Sequence, residues 1–298
     1  MDLPDLEAVL AAIPGRPWRE ATLETSPGTV TAEKARAWGA FGIDRVSLGV
    51  QSFVASEIAA TGRKHTAETV VDDLDILRAA GVENFNIDLI AGLAGQTLAS
   101  WRESLEWLAR LRPPHVSVYM LEINDDSRLG RESLLGGVRY GAGRMPPEEQ
   151  TADMYELAVE RLESLGIRRY EISNFAQPGF ESAHNLKYWK LEPYIGFGAD
   201  AHSFDGARRW SNAEWPADYV ARAPMPEPAA ANLAEEKFFV GLRLSGGVYP
   251  TPEEWRQFEA PISRFVREGL LETEDGALRL SNRGVLLSNE VFQEFLDL

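Results

Sequence analysis

No cysteine occurs anywhere in the 298 residues. Disulfides, thiolate zinc sites and cysteine-held iron–sulfur clusters are therefore excluded from the chain. Basic residues are scarce as well: 30 Lys and Arg stand against 46 Asp and Glu, a formal net charge of -16. So acidic a chain is a poor match for a phosphate backbone, and no nucleic-acid partner is expected. No apolar run approaches the ~18 residues of a membrane span. The first residues, MDLPDLEAVLAAI, are acidic and amphipathic and lack the basic start and cleavage site of a signal peptide. What is present is 44% apolar residues, enough in a chain of this length for a large core and two domains. The expectation is a globular cytoplasmic protein.

One phrase recurs along the first two thirds of the chain. A helix ends at Gly42, Gly81 or Gly166, an aliphatic residue follows, and a strand begins near Arg45, Phe85 or Arg168. Glycine supplies the left-handed residue that stops each helix. Val70, Leu74 and Leu77 share one helix face, as do Trp101, Leu105 and Leu108. This is α/β alternation with parallel strands. Residues 124–147 are rich in Gly and Arg without a period and read as a loop or lid. A Pro/Ala-rich stretch, 223–231, reads as a linker. Beyond it come helices and a hairpin around Asp275-Gly276, a winged-helix-like arrangement. The expected division is 1–204 for the α/β part and 205–298 for the C-terminal domain.

The chemistry gathers between Arg45 and Thr97, which read RVSLGVQSF, TGRKHT and NIDLIAGLAGQT. Gln51 and Asp88 close aliphatic strands, Glu24 closes an earlier one, and Arg63 stands at a strand-to-helix connection. Polar groups at strand C-termini are how an α/β barrel or sheet presents a site. Arg63 can fork onto a carboxylate, and Asp88 can accept from a ribose diol. Each also has a plain structural reading: Asp88 capping a turn, Gln51 satisfying backbone groups, Arg63 pairing at the surface.

These phrases, with ATLETSPGTV, HVSVYMLEI, YEISNFAQPGFESAHNLKYW, YIGFGADAHSF and RLSNRGVLLSNEVFQEFL, run in one order over nearly the whole chain. In them the chain resembles the radical S-adenosylmethionine (SAM) family of oxygen-independent coproporphyrinogen III oxidase-like proteins, in its HemW-type heme chaperone branch. The resemblance implies a partial (β/α) barrel followed by a family-specific C-terminal domain. It implies SAM contacts by Glu24, Gln51, Arg63 and Asp88, with Arg63 on the methionine carboxylate and Gln51 and Asp88 near the ribose. It also implies a CxxxCxxC loop holding a [4Fe–4S] cluster. That loop and a Gly-rich strand end are not found here, so the barrel is expected to lack its first strands, about two β/α units, and the chain to be unable to bind the cluster or to catalyse as written.

The resemblance further implies heme or tetrapyrrole handling, and delivery to a heme-recipient protein, through the segment Tyr170 to Phe204. His184 of HNLKYW is the candidate heme-iron ligand, and Tyr188 and Trp189 offer aromatic surface to the macrocycle. Lys187, Lys190, Arg208 and Arg209 are candidates to meet the propionates. The alternative is a structural His184, held in a turn and packed by Trp189. The expected function is heme trafficking, with porphyrinogen decarboxylation or a non-catalytic scaffold as the other readings.

Overall fold

The computed structural model describes residues 1–122, 131–132, 135, 141–222 and 227–296. It forms two compact units. The first comprises 1–169 and 173–181, the second 170–172 and 182–298. The expected boundary lies at 204; the HNLKYW segment instead belongs to the second unit.

The first unit is built on a six-stranded sheet in the order β1-β2-β3-β4-β6-β5. Its strands are β1 (Thr22–Thr25), β2 (Arg45–Gln51), β3 (Asn84–Ala91), β4 (His115–Met120), β5 (Arg168–Arg169) and β6 (Asn174–Ala176). β1 to β4 are parallel. They are joined by α2 (Ala32–Ala40), α4 (Ala67–Ala79) and α5 (Leu98–Leu111), with a short α3 (Ala55–Ala60) directly after β2; α1 (Leu3–Ala12) precedes the sheet. Gly42, Gly81 and Gly166 take φ of 90°, 83° and 78°, as a left-handed helix stop requires. Thr66 with Thr69, and Thr97 with Ser100, close capping boxes that fix where α4 and α5 begin.

The expectation of parallel strands throughout fails at β5 and β6. β6 runs antiparallel to both β4 and β5. Only Tyr170–Ser173 separate the two, a connection of hairpin length and far too short for a parallel crossover. β6 therefore turns back and fits between β4 and β5.

The two faces of the sheet differ. Val46, Leu48, Val50, Phe85, Ile87, Leu89, Val116 and Val118 are buried on the face that packs against helices. Trp101 and Leu105 of α5 meet the helix Glu148–Ser164 there, and the Trp101 indole N–H donates to the Met154 carbonyl at 2.6 Å. The opposite face is polar: Thr22 and Glu24 on β1, Arg45, Ser47 and Gly49 on β2, Asn84, Asn86 and Asp88 on β3, His115 and Ser117 on β4. A period of two residues carries this pattern, since successive side chains of a strand point to opposite faces.

The second unit holds a three-stranded antiparallel sheet of β7 (His202–Phe204), β8 (Arg208–Ser211) and β9 (Ala229–Ala230), a hairpin of β10 (Leu271–Glu274) and β11 (Ala277–Leu280), and short helices. Phe238, Phe258 and Phe295 form its buried aromatic centre, with Phe238 and Phe295 stacked at 4.9 Å. Of the expected linker, 223–226 lie outside the described residues, and Ala229–Ala230 are strand. Most of the expected lid at 124–147 also lies outside them. No helix among the described residues is long and apolar enough to cross a membrane.

Candidate functional site

At the C-terminal end of β2 the ladder to β3 is irregular: Leu48 pairs with Ile87, but the next pairing is Gln51 with Leu89. This bulge leaves Gln51 at φ 71°, a left-handed conformation that disfavours any residue with a Cβ. The Gln51 amide lies back over Gly49. A Cβ built on Gly49 would stand 3.1 Å from Gln51 Nε2 and 3.4 and 3.5 Å from the two terminal nitrogens of Arg63. Gln51 and Arg63 thus converge over a residue that has no side chain.

Arg63 arrives from the turn after α3. One terminal nitrogen donates to Ser26 Oγ at 3.3 Å, and no ion pair engages the guanidinium among the described residues. A half-buried guanidinium at a strand end, without a counter-charge among the described residues, is suited to an incoming carboxylate. His65, two residues on, bonds the Val50 carbonyl at 3.0 Å and carries the α3–α4 turn against β2. Burial lowers its basicity, and the nearby Arg63 charge lowers it further.

Asp88 sits within a hydrogen-bonded row that crosses four strands. Asn86 Nδ2 donates to Asp88 Oδ1 at 2.6 Å and to Ser47 Oγ at 2.8 Å, and Ser47 Oγ donates to Asp88 Oδ2 at 3.3 Å. Asn86 Oδ1 accepts from Ser117 Oγ at 3.2 Å and lies 2.7 Å from His115 Nδ1; Ser117 Oγ also reaches Asn174 Oδ1 at 2.7 Å. Burial raises the Asp88 pKa most strongly, the bonds from Ser117 and Asn86 pull it back, and the charge of Glu24 pushes it up again. His115 is fully buried, and burial first, then the Arg45 charge, holds its pKa well below the usual value, so the ring is neutral.

A second buried bracket ties the loops above the strands together. Gln96 Oε1 accepts from the backbone N–H of Gly92 at 2.6 Å and Leu93 at 3.1 Å, while its Nε2 donates to Glu57 Oε2 at 3.1 Å. Ser52 Oγ donates to the same Glu57 oxygen at 2.6 Å. The loop after β2 and the loop after β3 are held to each other through one carboxylate.

The four residues singled out from the sequence therefore lie along one end of β1 to β3, on or beside one polar face. Gln51 and Arg63 meet over Gly49, and Glu24 is near enough to Asp88 to act on it electrostatically. Sequence reasoning missed Ser47, Asn86, Ser117, Asn174, Gln96 and Glu57. The alternation R-V-S-L-G and N-F-N-I-D carries the signal for the first two: a polar residue at every second position of an otherwise apolar strand.

In the second unit, HNLKYW forms the helix Ala183–Trp189, capped by Ser182. His184 is exposed, and its Nε2 lies 3.1 Å from the Tyr188 hydroxyl one turn on, with the rings edge to face at 4.9 Å. Tyr188 packs edge to face on Tyr194 at 4.5 Å, and burial raises its pKa. Beside this helix is a cavity of about 570 Å³ lined by Tyr188, Trp189, Tyr194 and Phe239, with Arg209 and Glu236 on its wall. His184 is not among its lining residues.

Of the four basic residues expected to meet propionates, two already have partners. Arg208 pairs with Asp205 at 3.0 Å. Arg209 pairs with Glu236 at 2.6 Å, donates to Tyr194 Oη at 3.0 Å and lies over the Phe204 ring. Lys187 and Lys190 are exposed and carry no ion pair among the described residues. No described cluster of His, Asp or Glu could hold a metal ion.

Residues 1–108 match the model of the radical SAM superfamily. The chain is 35% identical over 292 residues to the heme chaperone HemW of Bacillus subtilis, covering 93% of this chain and 76% of that protein. It is 34% identical to HemW of Lactococcus lactis, covering 93% and 75%. It is 31% identical to the mitochondrial radical S-adenosyl methionine domain-containing protein 1 of Bos taurus, covering 96% and 68%. In fold it is similar to the radical SAM coproporphyrinogen III oxidase HemN of Escherichia coli, with a TM-score of 0.81 over 99% of this chain and 74% of that one, at 17% identity. The polar-faced parallel sheet with its strand-end groups, and the likeness to these relatives over nearly the whole length, lead to one conclusion: the chain belongs to the radical SAM superfamily, among its HemW-type members.

Proposed function

We propose that the chain is a cytoplasmic heme-trafficking protein that holds SAM at the strand ends of its first unit and heme on its second. The observation that carries the heme reading is the capped HNLKYW helix with an aromatic-walled cavity beside it. Tyr188 and Trp189 offer flat apolar surface to a macrocycle, His184 offers an imidazole to iron, and exposed Lys187 and Lys190 meet propionates. Its Nε2 is bonded to Tyr188 in this structure, so ligation through that atom exchanges a phenol for iron. A heme-recipient protein is the expected partner.

SAM fits the first unit by the chemistry of its donors. Arg63, free of a counter-charge among the described residues, takes the carboxylate; Gln51 and Asp88 hold the ribose; Glu24, exposed at the end of β1, completes the edge. Bound SAM would supply an activated sulfonium. A [4Fe–4S] cluster does not fit this chain, which has no thiolate to hold one, and no step is assigned through it.

Gln51 offers a direct check. Gln51→Gly should relieve the left-handed strain and stabilise the fold by about 1 kcal/mol, while SAM binding weakens about tenfold through loss of the amide. Thermal unfolding and SAM calorimetry read the two effects; a less stable glycine variant would show that the bulge is not strained.

The function itself is tested by transfer. Heme-loaded chain mixed with apomyoglobin should pass its heme on, seen as growth of the myoglobin Soret band, and the chain should leave coproporphyrinogen III unchanged. Decarboxylated product would favour the oxidase; failure to load heme at all would leave only the scaffold.

A further inference from the structure

The cavity of about 570 Å³ in the second unit has two charged residues in its lining, Arg209 and Glu236, and they belong to one pair. All three guanidinium nitrogens of Arg209 are already engaged. Nε donates to the two Glu236 oxygens at 3.0 and 3.1 Å, one terminal nitrogen donates to Glu236 Oε2 at 2.6 Å, and the other donates to Tyr194 Oη at 3.0 Å. The guanidinium carbon also lies 4.3 Å from the centre of the Phe204 ring. The Glu236 side chain is only 19% exposed. The rest of the lining is aliphatic or aromatic, Leu191, Phe239 and Val240 included. Lys187 and Lys190 are exposed and do not line the cavity. A carboxylate brought into this space therefore meets no cation that lacks a counter-charge. It must either displace Glu236 from Arg209, which strands a mostly buried carboxylate, or stand beside Glu236 as like charge against like.

We propose that the Arg209–Glu236 pair decides which edge of a tetrapyrrole enters the cavity, and so which tetrapyrrole the second unit accepts. An edge without carboxylates is taken; an edge that carries them is turned away. The inference rests on the heme reading of this unit. Heme bears its two propionates on neighbouring pyrroles, so its opposite edge, with methyl and vinyl groups, is apolar. That edge enters among Tyr188, Trp189 and Phe239, while the propionates stay outside the cavity with Lys187 and Lys190. Coproporphyrin bears one propionate on each of its four pyrroles. Whichever edge enters brings a carboxylate toward Glu236. Glu236 is thus the specificity-determining residue: it occupies the one cation of the lining and repels an anionic edge.

Paired titrations of the intact chain with hemin and with iron(III) coproporphyrin III, followed by quenching of tryptophan fluorescence at high ionic strength, test this. High salt screens the long-range field of so acidic a chain, which by itself disfavours the more highly charged porphyrin; charges within the cavity wall are screened much less. Hemin should bind at least tenfold more tightly than the coproporphyrin. Glu236→Gln keeps an amide oxygen for Arg209 and removes the charge, so in that variant the ratio of the two affinities should fall toward one. Equal affinities in the wild type would overturn the proposal while leaving the heme reading in place. So would a ratio unchanged in a Glu236→Gln protein that unfolds as cooperatively as wild type, since bulk rather than charge would then discriminate. Failure of either porphyrin to bind would remove the heme reading itself, and this inference with it.

Discussion

Asp88→Asn is expected to raise the melting temperature and, in the same protein, to weaken SAM binding ten- to a hundredfold. Two consequences of one placement are at work. Asp88 is held among Ser47, Asn86 and Ser117 with Glu24 nearby, and burial raises its pKa. A carboxyl whose folded-state pKa lies above its unfolded value binds more protons folded than unfolded between the two. Its contribution therefore falls as pH climbs from the ordinary carboxylate range through the raised pKa, and the ionised form is a standing penalty at neutral pH. Asparagine removes that penalty and keeps an oxygen for the Asn86 amide. It also removes the charged acceptor for a ribose hydroxyl, and a hydrogen bond to a charged group is worth roughly 1.5–3 kcal/mol. Unfolding scans at several pH values should show the variant's advantage growing from acid to neutral, and calorimetry with SAM should show the loss of affinity. A variant that is destabilised at neutral pH, or that binds SAM unchanged, would remove Asp88 from the proposed site.

The sequence shows where to look for such a buried carboxyl but not how it is arranged. The parallel part of the sheet was legible because each helix ends in a glycine that its φ requires and each following strand is aliphatic. β5 and β6 were not, since strands of two and three residues carry no period to read. The strand-end residues could be picked out by type and position. Their convergence could not: it depends on a bulge that swings Gln51 over Gly49 and on a row of bonds between residues distant in the chain, such as Ser117 and Asn174, 57 positions apart. Arg208 and Arg209 were read as free for an anionic ligand because charge is visible in a sequence and pairing is not. Glu236, which holds Arg209, lies 27 residues away on another element. Trp189 shows the reverse case. Its aromatic surface was legible, but that Arg243 lies 5.2 Å from its ring and that its buried indole N–H finds no partner among the described residues are facts of packing alone.

His184 carries the largest effect in the second unit. Its imidazole is exposed, and its Nε2 lies 3.1 Å from the Tyr188 hydroxyl. On the proposed heme reading, removing the ring should cost the iron its ligand while leaving the aromatic surfaces of Tyr188 and Trp189 in place. Affinity should therefore fall by an order of magnitude or more, at least ~1.4 kcal/mol, without vanishing. Tyr188→Phe separates ligation from orientation: the ring edge remains and the bond from the phenol to Nε2 is lost, so the iron should keep a histidine spectrum.

The direct measurement is a heme titration of the intact chain followed at the Soret band, with wild type, His184→Ala and Tyr188→Phe side by side. Heme held through HNLKYW predicts a saturable wild-type band, the same band position in Tyr188→Phe, and a shifted band with at least tenfold weaker binding in His184→Ala. Three superimposable titrations would contradict it, since heme bound by this chain would then owe nothing to His184.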